Sequence, residues 1–127
     1  MRQIINPAGG PGALGPYSPA IKCNGLVFVS GQIPLDPASG ELVGGDIQAQ
    51  VRRVLENIGL LLKGSGSSFQ EVLKVSVFLA NLDNFDAMNQ VYAEYFGDSR
   101  PARSTIEVSR LPKGVDVEID VIAACQK

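Results

Sequence analysis

The residues best suited to chemistry lie in the last quarter of the chain, where charged side chains alternate with apolar ones. Arg103, Thr105 and Glu107 share one face of a predicted strand, because successive side chains of a strand point to opposite faces. Glu118 and Asp120 alternate with valine and isoleucine in a second predicted strand. A guanidinium has a fork of donors that matches a carboxylate. The pattern indicates a site for a small organic anion, with a surface ion pair between Arg103 and Glu107 as an equal alternative.

The chain contains no histidine, which excludes Ser-His-Asp and Cys-His catalysis. Acid–base chemistry near neutral pH then falls to Glu, Asp, Lys, Tyr or Cys. Glu118 is a candidate general base or water-orienting group, although a lone glutamate on a strand is more often simply solvated. Cys23 and Cys125 stand alone, without a CxxC spacing, so no metal site is expected. We interpret both as reduced thiols of a cytoplasmic protein.

Three further positions have properties of binding residues. Tyr17 lies in a loop that neighbouring prolines hold extended, so its ring can cover a pocket or pack on its own domain. Ser30 ends a strand where Gly31 permits close approach of another group to the backbone. Asn89 is polar within the apolar stripe of a predicted helix, and we expect it to have a hydrogen-bond partner.

One glycine-rich segment imitates a nucleotide-binding motif. Residues 10–15 match GxGxxG letter for letter, but Pro11 and Pro16 prevent an ordinary helix from starting there. The segment is therefore interpreted as a loop, and no nucleotide cofactor is expected.

The apolar periodicity predicts the elements that must position these side chains. Asn24-Gly25 is typical of a type I′ turn between two strands. Asp46 and Asp83 are predicted N-caps, and glycines follow the predicted helix ends. The predicted elements are strands at 3–5, 20–23 and 26–30, a helix at 46–63, a strand at 72–79, a helix at 84–96, and a closing hairpin of residues 103–108 and 117–121 in which Glu107 faces Glu118.

This order predicts an α+β fold in which two helices cover one face of a mixed sheet. At 127 residues, the chain (1–127) is expected to form a single domain. We expect Arg103, Thr105, Glu118 and Asp120 on the opposite face together with apolar Ile122. A mixed face of this kind favours completion by a neighbouring subunit in a closed ring.

Composition narrows the classes of partner. The net charge is −2 and the pI is near 5.0, with no basic block, so nucleic acid is an unlikely partner. The longest apolar run, about residues 58–62, is far shorter than the roughly 20 residues of a membrane span. The N-terminus also lacks the pattern of a secretory signal.

Four motifs in matching order resemble the reactive-intermediate deaminase (YjgF/RidA) family. They are residues 15–20 (GPYSPA), 29–34 (VSGQIP), 100–104 (RPARS) and 111–119 (LPKGVDVEI). The resemblance implies a chorismate-mutase-like domain in a homotrimer that closes a central barrel, with clefts between subunits. It also implies hydrolysis of 2-imino acids, such as 2-iminobutanoate and 2-iminopropanoate, to 2-keto acids and ammonia without a cofactor.

The resemblance also assigns roles to residues. Arg103 would bind the substrate carboxylate, and Glu118 would position or activate the attacking water. Archetypal members often have cysteine where this chain has Thr105, which can still supply backbone groups and a hydroxyl. The positions implied to bind substrate are Tyr17, Ser30, Gly31, Asn89, Arg103 and Thr105.

Two other functions stay open at this point: a regulatory protein that binds small carboxylates without catalysis, and, less favoured, an RNA-cleaving or translation-inhibiting protein. In the predicted hairpin, Arg103 would lie roughly 13 Å from Glu118 at ~3.3 Å per residue. We therefore expect neighbouring subunits to contribute these two residues to one site.

Overall fold

A computed structural model describes residues 1–126 as a six-stranded sheet packed against two helices, which confirms the predicted α+β class. The helices are α1 (Ile47–Gly64) and α2 (Phe85–Phe96). The strands are β1 (Gln3–Ile5), β2 (Ala20–Cys23), β3 (Leu26–Gln32), β4 (Val72–Leu79), β5 (Ala102–Glu107) and β6 (Val117–Ala124). No helix within residues 1–126 has both the length and the apolar character needed to cross a membrane.

Local signals in the sequence fix several of these boundaries. Asn24 (φ 53°) and Gly25 (φ 79°) form the predicted two-residue turn between β2 and β3. Asp46 caps α1 as predicted, and its Oδ1 accepts a hydrogen bond from Ala49 N at 2.8 Å. The predicted cap of α2 is wrong, because a 3₁₀ turn (Leu82–Asn84) precedes that helix and the Asn81 side chain caps the turn.

The strand order is β1-β2-β3-β6-β4-β5, and only β4 and β5 pair in parallel. The predicted closing hairpin is therefore wrong, since β4 lies between β5 and β6. Val108 N donates to Leu79 O and Ala80 N donates to Asp116 O, so the β5–β6 connection passes the end of β4. Alternation within two successive strands cannot reveal that an earlier strand separates them.

The two faces of the sheet differ in what covers them. Side chains of alternate positions, such as Val75, Val77 and Ile119, join α1 and α2 in the buried core. The other face carries no helix, and we call it the open face. Ile4 on β1, Phe28 on β3 and Ile106 on β5 lie on or beside this face and are 59%, 43% and 49% exposed, so large apolar side chains on three of its strands stay open to solvent.

Candidate functional site

The predicted site residues fall into two separate cavities of similar size. The first, which we call the glutamate cavity, has a volume of about 550 Å³ and contains Tyr17, Ser30, Gly31 and Glu118. The second, the arginine cavity, has a volume of about 560 Å³ and includes Asn89, Tyr92, Arg100 and Arg103. The structure thus groups the predicted residues into two sets within one chain.

A β-bulge shapes the glutamate cavity. Val29 pairs with Val121 and Gln32 with Ile119, so β3 has two residues, Ser30 and Gly31, where β6 has one. A bulge of this kind bends the strand and redirects its side chains, and bulges are common beside functional sites.

Ser30 ties the preceding loop to this bulge. Its Oγ donates to Ser18 O at 2.6 Å, and its backbone N donates to Pro19 O at 2.9 Å. These bonds hold the loop that carries Tyr17, whose side chain is 48% exposed and whose hydroxyl accepts from Leu14 N at 3.2 Å. Tyr17 thus lines the cavity while its hydroxyl is bonded within its own loop, and its role as a cover of the pocket stays a prediction.

Glu118 occupies space that only a glycine at position 31 leaves free. A Cβ atom built on Gly31 would lie 2.1 Å from Glu118 Oε2 and 2.9 Å from its Cδ. Both distances are far inside van der Waals contact. The close approach expected at Gly31 is thus confirmed, and the group that approaches is the Glu118 carboxylate.

The environment of Glu118 favours its protonated form. Partial burial raises the pKa of Glu118, and the nearby Asp120 carboxylate raises it further. Burial also raises the pKa of Asp120, while Ser76 and Lys74 act in the opposite direction. A carboxyl group with a raised pKa can accept or return a proton closer to neutral pH than an ordinary one.

In the arginine cavity, α2 holds the Arg103 side chain in place. Arg103 Nη1 donates to Asn89 Oδ1 at 2.7 Å, so the expected partner of Asn89 is confirmed and is Arg103. The guanidinium carbon lies 4.6 Å from the centroid of the Tyr92 ring and 5.5 Å from that of Phe85. Such positions are favourable because the quadrupole of an aromatic ring attracts a cation that lies over its face. Within residues 1–126, the hydrogen bond to Asn89 uses one of the N–H donors of the guanidinium.

The alternative ion pair of Arg103 with Glu107 is wrong. Glu107 Oε1 instead accepts from the backbone N of Leu82 at 2.8 Å. Sequence reasoning also misses the two aromatic residues that hold Arg103, because Phe85 and Tyr92 fall in the apolar stripe of α2, where aromatic residues are expected to pack in the core. The spacing of Phe85, Asn89 and Tyr92 places them on one helical face, which is the signal that could have revealed them.

Two buried hydroxyl groups near Arg103 have no partner within residues 1–126. They are Thr105 Oγ1 and Tyr92 Oη. Burial raises the pKa of the Tyr92 hydroxyl, and the Arg103 charge opposes that shift. Thr105 lies two residues from Arg103 on the same face of β5. Buried polar groups are normally paired, so a ligand, water or another chain is needed to complete this environment.

The two cavities lie on opposite faces of the sheet, which corrects the predicted arrangement. Arg103 pairs with Val75 and contacts α2, so it points to the helix side together with Thr105. Glu118 and Asp120 alternate with core residues of β6 and point to the open face. Apolar alternation misplaced Arg103 because β5 is an edge strand: its Ile106 is exposed, and α2 supplies polar and aromatic partners for the arginine.

The sheet register also separates Arg103 from Glu118 in space. Arg103 is paired with Val75 on one side of β4, and Glu118 with Phe78 on the other. Three residues along a strand and two strand spacings across the sheet place their Cα atoms about 14 Å apart. One chain therefore does not bring the guanidinium and the carboxylate onto one small molecule.

Within residues 1–126, no three His, Cys, Asp or Glu side chains group in a way that could hold a metal ion.

A Gly31→Ala substitution tests the packing at Glu118. Because the added methyl group overlaps the carboxylate, we expect Glu118 to move by about 1 Å or more to reach ordinary contact. A crystal structure of the variant measures this displacement. Gly44→Ala is the matched control, since its Cβ would meet nothing within 4 Å. An unmoved Glu118 carboxylate in the Gly31 variant would contradict the interpretation.

Comparison with known proteins places the chain in a family. The sequence model of the family described as Endoribonuclease L-PSP matches residues 8–125. A RutC family protein of Pyrococcus horikoshii is 52% identical over 97% of this chain and 98% of its own length. A human protein named 2-iminobutanoate/2-iminopropanoate deaminase is 41% identical over 97% of this chain and 90% of its own.

A solved structure shows the same similarity in three dimensions. The crystal structure of E. coli TdcF with bound serine has a TM-score of 0.91 and 38% identity, and the match covers 98% of this chain and 99% of that one. Sequence, family model and fold agree over nearly the whole chain. The protein belongs to the Endoribonuclease L-PSP family, which is the YjgF/RidA family.

Proposed function

We propose that this protein hydrolyses reactive 2-imino acids to 2-keto acids and ammonia. The observation that carries the proposal is the Arg103 guanidinium, which Asn89 and the Tyr92 ring hold at a cavity, and which within residues 1–126 makes one hydrogen bond, to Asn89. A guanidinium has five N–H donors, and two of them in parallel suit a carboxylate. The name of the human relative and the serine bound by TdcF, an amino acid with a carboxylate, support this assignment.

We further propose that the working unit is a homotrimer in which the arginine cavity of one subunit faces the glutamate cavity of the next. Two observations support this arrangement. Arg103 and Glu118 lie on opposite faces of their own sheet, and the open face exposes Ile4, Phe28 and Ile106. Covering that face with neighbouring copies would bury these apolar side chains, and a ring of identical contacts closes by rotation. The barrel of sheets implied by the family resemblance is such a ring.

In the proposed reaction, Arg103 orients the substrate and Glu118 manages the protons of water. Water adds across the C=N bond: its oxygen bonds to the imine carbon, and a proton passes through Glu118 to the nitrogen. The C–N bond of the resulting carbinolamine then breaks, the hydroxyl proton leaves with the nitrogen as ammonia, and a 2-keto acid remains. Imine hydrolysis is intrinsically easy, so orientation and placed charge are the main contributions the protein has to make.

Binding measurements distinguish two alternative functions from imine hydrolysis. Binding of 2-ketobutyrate without turnover of the imine would favour a regulatory carboxylate-binding protein. The family description names an endoribonuclease, but the net charge of −2 does not favour a phosphate backbone. Salt-sensitive binding of RNA by the pure protein would support that function instead.

Arg103→Ala tests the proposed function directly. A threonine dehydratase or amino-acid oxidase supplies the imine, semicarbazide traps it, and loss of trapped product measures hydrolysis. Because the variant loses the carboxylate partner that orients the substrate, we expect kcat/KM to fall roughly 100-fold or more. Arg103→Lys keeps the positive charge but lacks the paired N–H donors of a guanidinium, so it should have only part of the wild-type activity. The exposed Arg110→Ala is the control; a folded wild-type protein that leaves trapping unchanged would refute the proposed function.

Mixing two inactive variants tests whether neighbouring subunits share a site. Arg103→Ala and Glu118→Ala subunits are unfolded together and refolded at equal concentrations. If each site takes one residue from each of two neighbours, about a quarter of wild-type activity should return, since one random pairing in four joins two intact halves. Each variant refolded alone is the control. A mixture that stays inactive, although sedimentation shows it to be trimeric, would contradict the shared site.

The raised pKa of Glu118 predicts the pH dependence of kcat. The carboxylate form has to accept a proton, so activity is lost as pH falls through the pKa of Glu118. Because burial and Asp120 raise that pKa, the loss should begin at higher pH than for an ordinary glutamate. Asp120→Asn removes one cause and should move the acidic limb to lower pH. Glu71→Gln, at an exposed position, is the control, and an acidic limb unaffected by Asp120→Asn would argue against this role of Glu118.

A further inference from the structure

Gln50 in the first turn of α1 is a buried polar side chain that the proposed reaction does not use. It is only 5% exposed. Its Nε2 donates to Asp116 Oδ2 at 2.8 Å and to Gly45 O at 3.3 Å. Its Oε1 accepts from the backbone N of Asp116 at 3.0 Å. The carboxamide thus joins both the side chain and the backbone of a residue 66 positions further along the chain.

The bonds of Gln50 act where the glutamate cavity is built. Asp116 lies between the 3₁₀ turn Pro112–Gly114 and the first residue of β6. That turn supplies Pro112 and Lys113 to the wall of the cavity, and Glu118 is the second residue of β6. Asp116 O also accepts from Ala80 N at 3.0 Å, so this one residue is held both by α1 and by the residue that follows β4.

The turn held in this way has an unfavourable backbone conformation. Lys113 adopts φ 58° without being a glycine. A non-glycine residue in the left-handed region persists when its surroundings fix it. The backbone bonds within the turn, Gly114 N to Leu111 O at 3.1 Å and Val115 N to Pro112 O at 3.4 Å, are few. The attachments of Asp116 to Gln50 and to Ala80 N therefore restrain this wall of the cavity from outside the turn.

We propose that Gln50 is a positioning residue for the glutamate cavity, acting through Asp116 to fix the direction of Glu118 and the wall formed by Pro112 and Lys113. This inference rests on the proposed imine hydrolysis. Displacement of a reacting group by about 1 Å can lower a rate by roughly 100-fold. We call the hydrogen-bonded contact of Gln50 with Asp116 the clamp. The clamp thus controls the rate of the chemical step without contacting the substrate.

Swapping the hydrogen-bond donor and acceptor between the side chains of positions 50 and 116 tests this role of Gln50. Gln50→Glu keeps the shape of the side chain but removes the donor and faces the Asp116 carboxylate with a second carboxylate, which is unfavourable when buried. In the double variant Gln50→Glu/Asp116→Asn, the new Asn amide donates to the new Glu carboxylate, and the backbone N of residue 116 still has its acceptor. The double variant therefore restores the bridge between positions 50 and 116 with reversed polarity, while the weaker 3.3 Å bond to Gly45 O is lost in both variants.

The experiment compares kinetics with hydrogen exchange of the amides of residues 111–118. For Gln50→Glu, we expect kcat to fall roughly 10- to 100-fold, with KM within about twofold because Arg103 lies in the other cavity. Hydrogen exchange of the backbone amides of residues 111–118 should become faster in this variant. The double variant should recover kcat to within about threefold of wild type together with slow exchange. Gln48→Glu on the same helix, which loses its bonds to Ala87 O and Gln90 Oε1 of α2, should leave kcat and this exchange unchanged.

Each result decides one of the two proposals. If the wild type hydrolyses imines and Gln50→Glu does so equally well, or if the double variant stays as slow as the single one, the positioning role is wrong. If the folded wild type does not hydrolyse imines, the proposed function fails, and the clamp is judged by exchange alone. Faster exchange in Gln50→Glu that the double variant reverses would then support the clamp, and unchanged exchange would overturn it.

Discussion

The position of β4 between β5 and β6 is the constraint on which the rest of the structure depends. It forces the connection of residues 108–116 to pass the end of the sheet. It also makes β5 an edge strand, where Arg103 can reach α2 and where Ile106 remains exposed. If β5 and β6 had paired as a hairpin, Arg103 and Glu118 would have shared one face. The inserted strand instead separates them across the sheet.

Local contacts hold the charged side chain of each cavity in place. Arg103 is held by a short hydrogen bond to Asn89 and by the Tyr92 ring, so its free donors keep one direction. Glu118 is held by close packing against Gly31 in the bulge of β3. Preorganised groups of this kind avoid the cost of reordering when a ligand arrives. In the part of the chain that the structure describes, the buried hydroxyls of Tyr92 in the arginine cavity and of Thr105 beside Arg103 on β5 have no hydrogen-bond partner, so a further group can pair with them.

The exposed apolar side chains of the open face and the divided site have one common explanation in our proposal. A neighbouring copy would cover the open face and supply the missing half of each site. Activity and assembly are then coupled, because no subunit alone brings its guanidinium and its carboxylate together. In the same proposal, the clamp of Gln50 on Asp116 links the start of α1 to the geometry of one half-site.

The sequence by itself determined the local features, because their causes are local. Asn24-Gly25 requires a tight turn, Asp46 caps α1, and apolar periodicity specifies the helices and most strands. The four motifs also identified the family, and they contain Tyr17, Ser30, Gly31 and Glu118 of the glutamate cavity and Arg103 of the arginine cavity. Only the tertiary structure decided the strand order and the face on which Arg103 lies. It also decided that Tyr92 contacts Arg103 and that Asp116 bonds to Gln50. These depend on pairings between distant segments, and side-chain alternation along one strand contains no information about which strand will lie beside it.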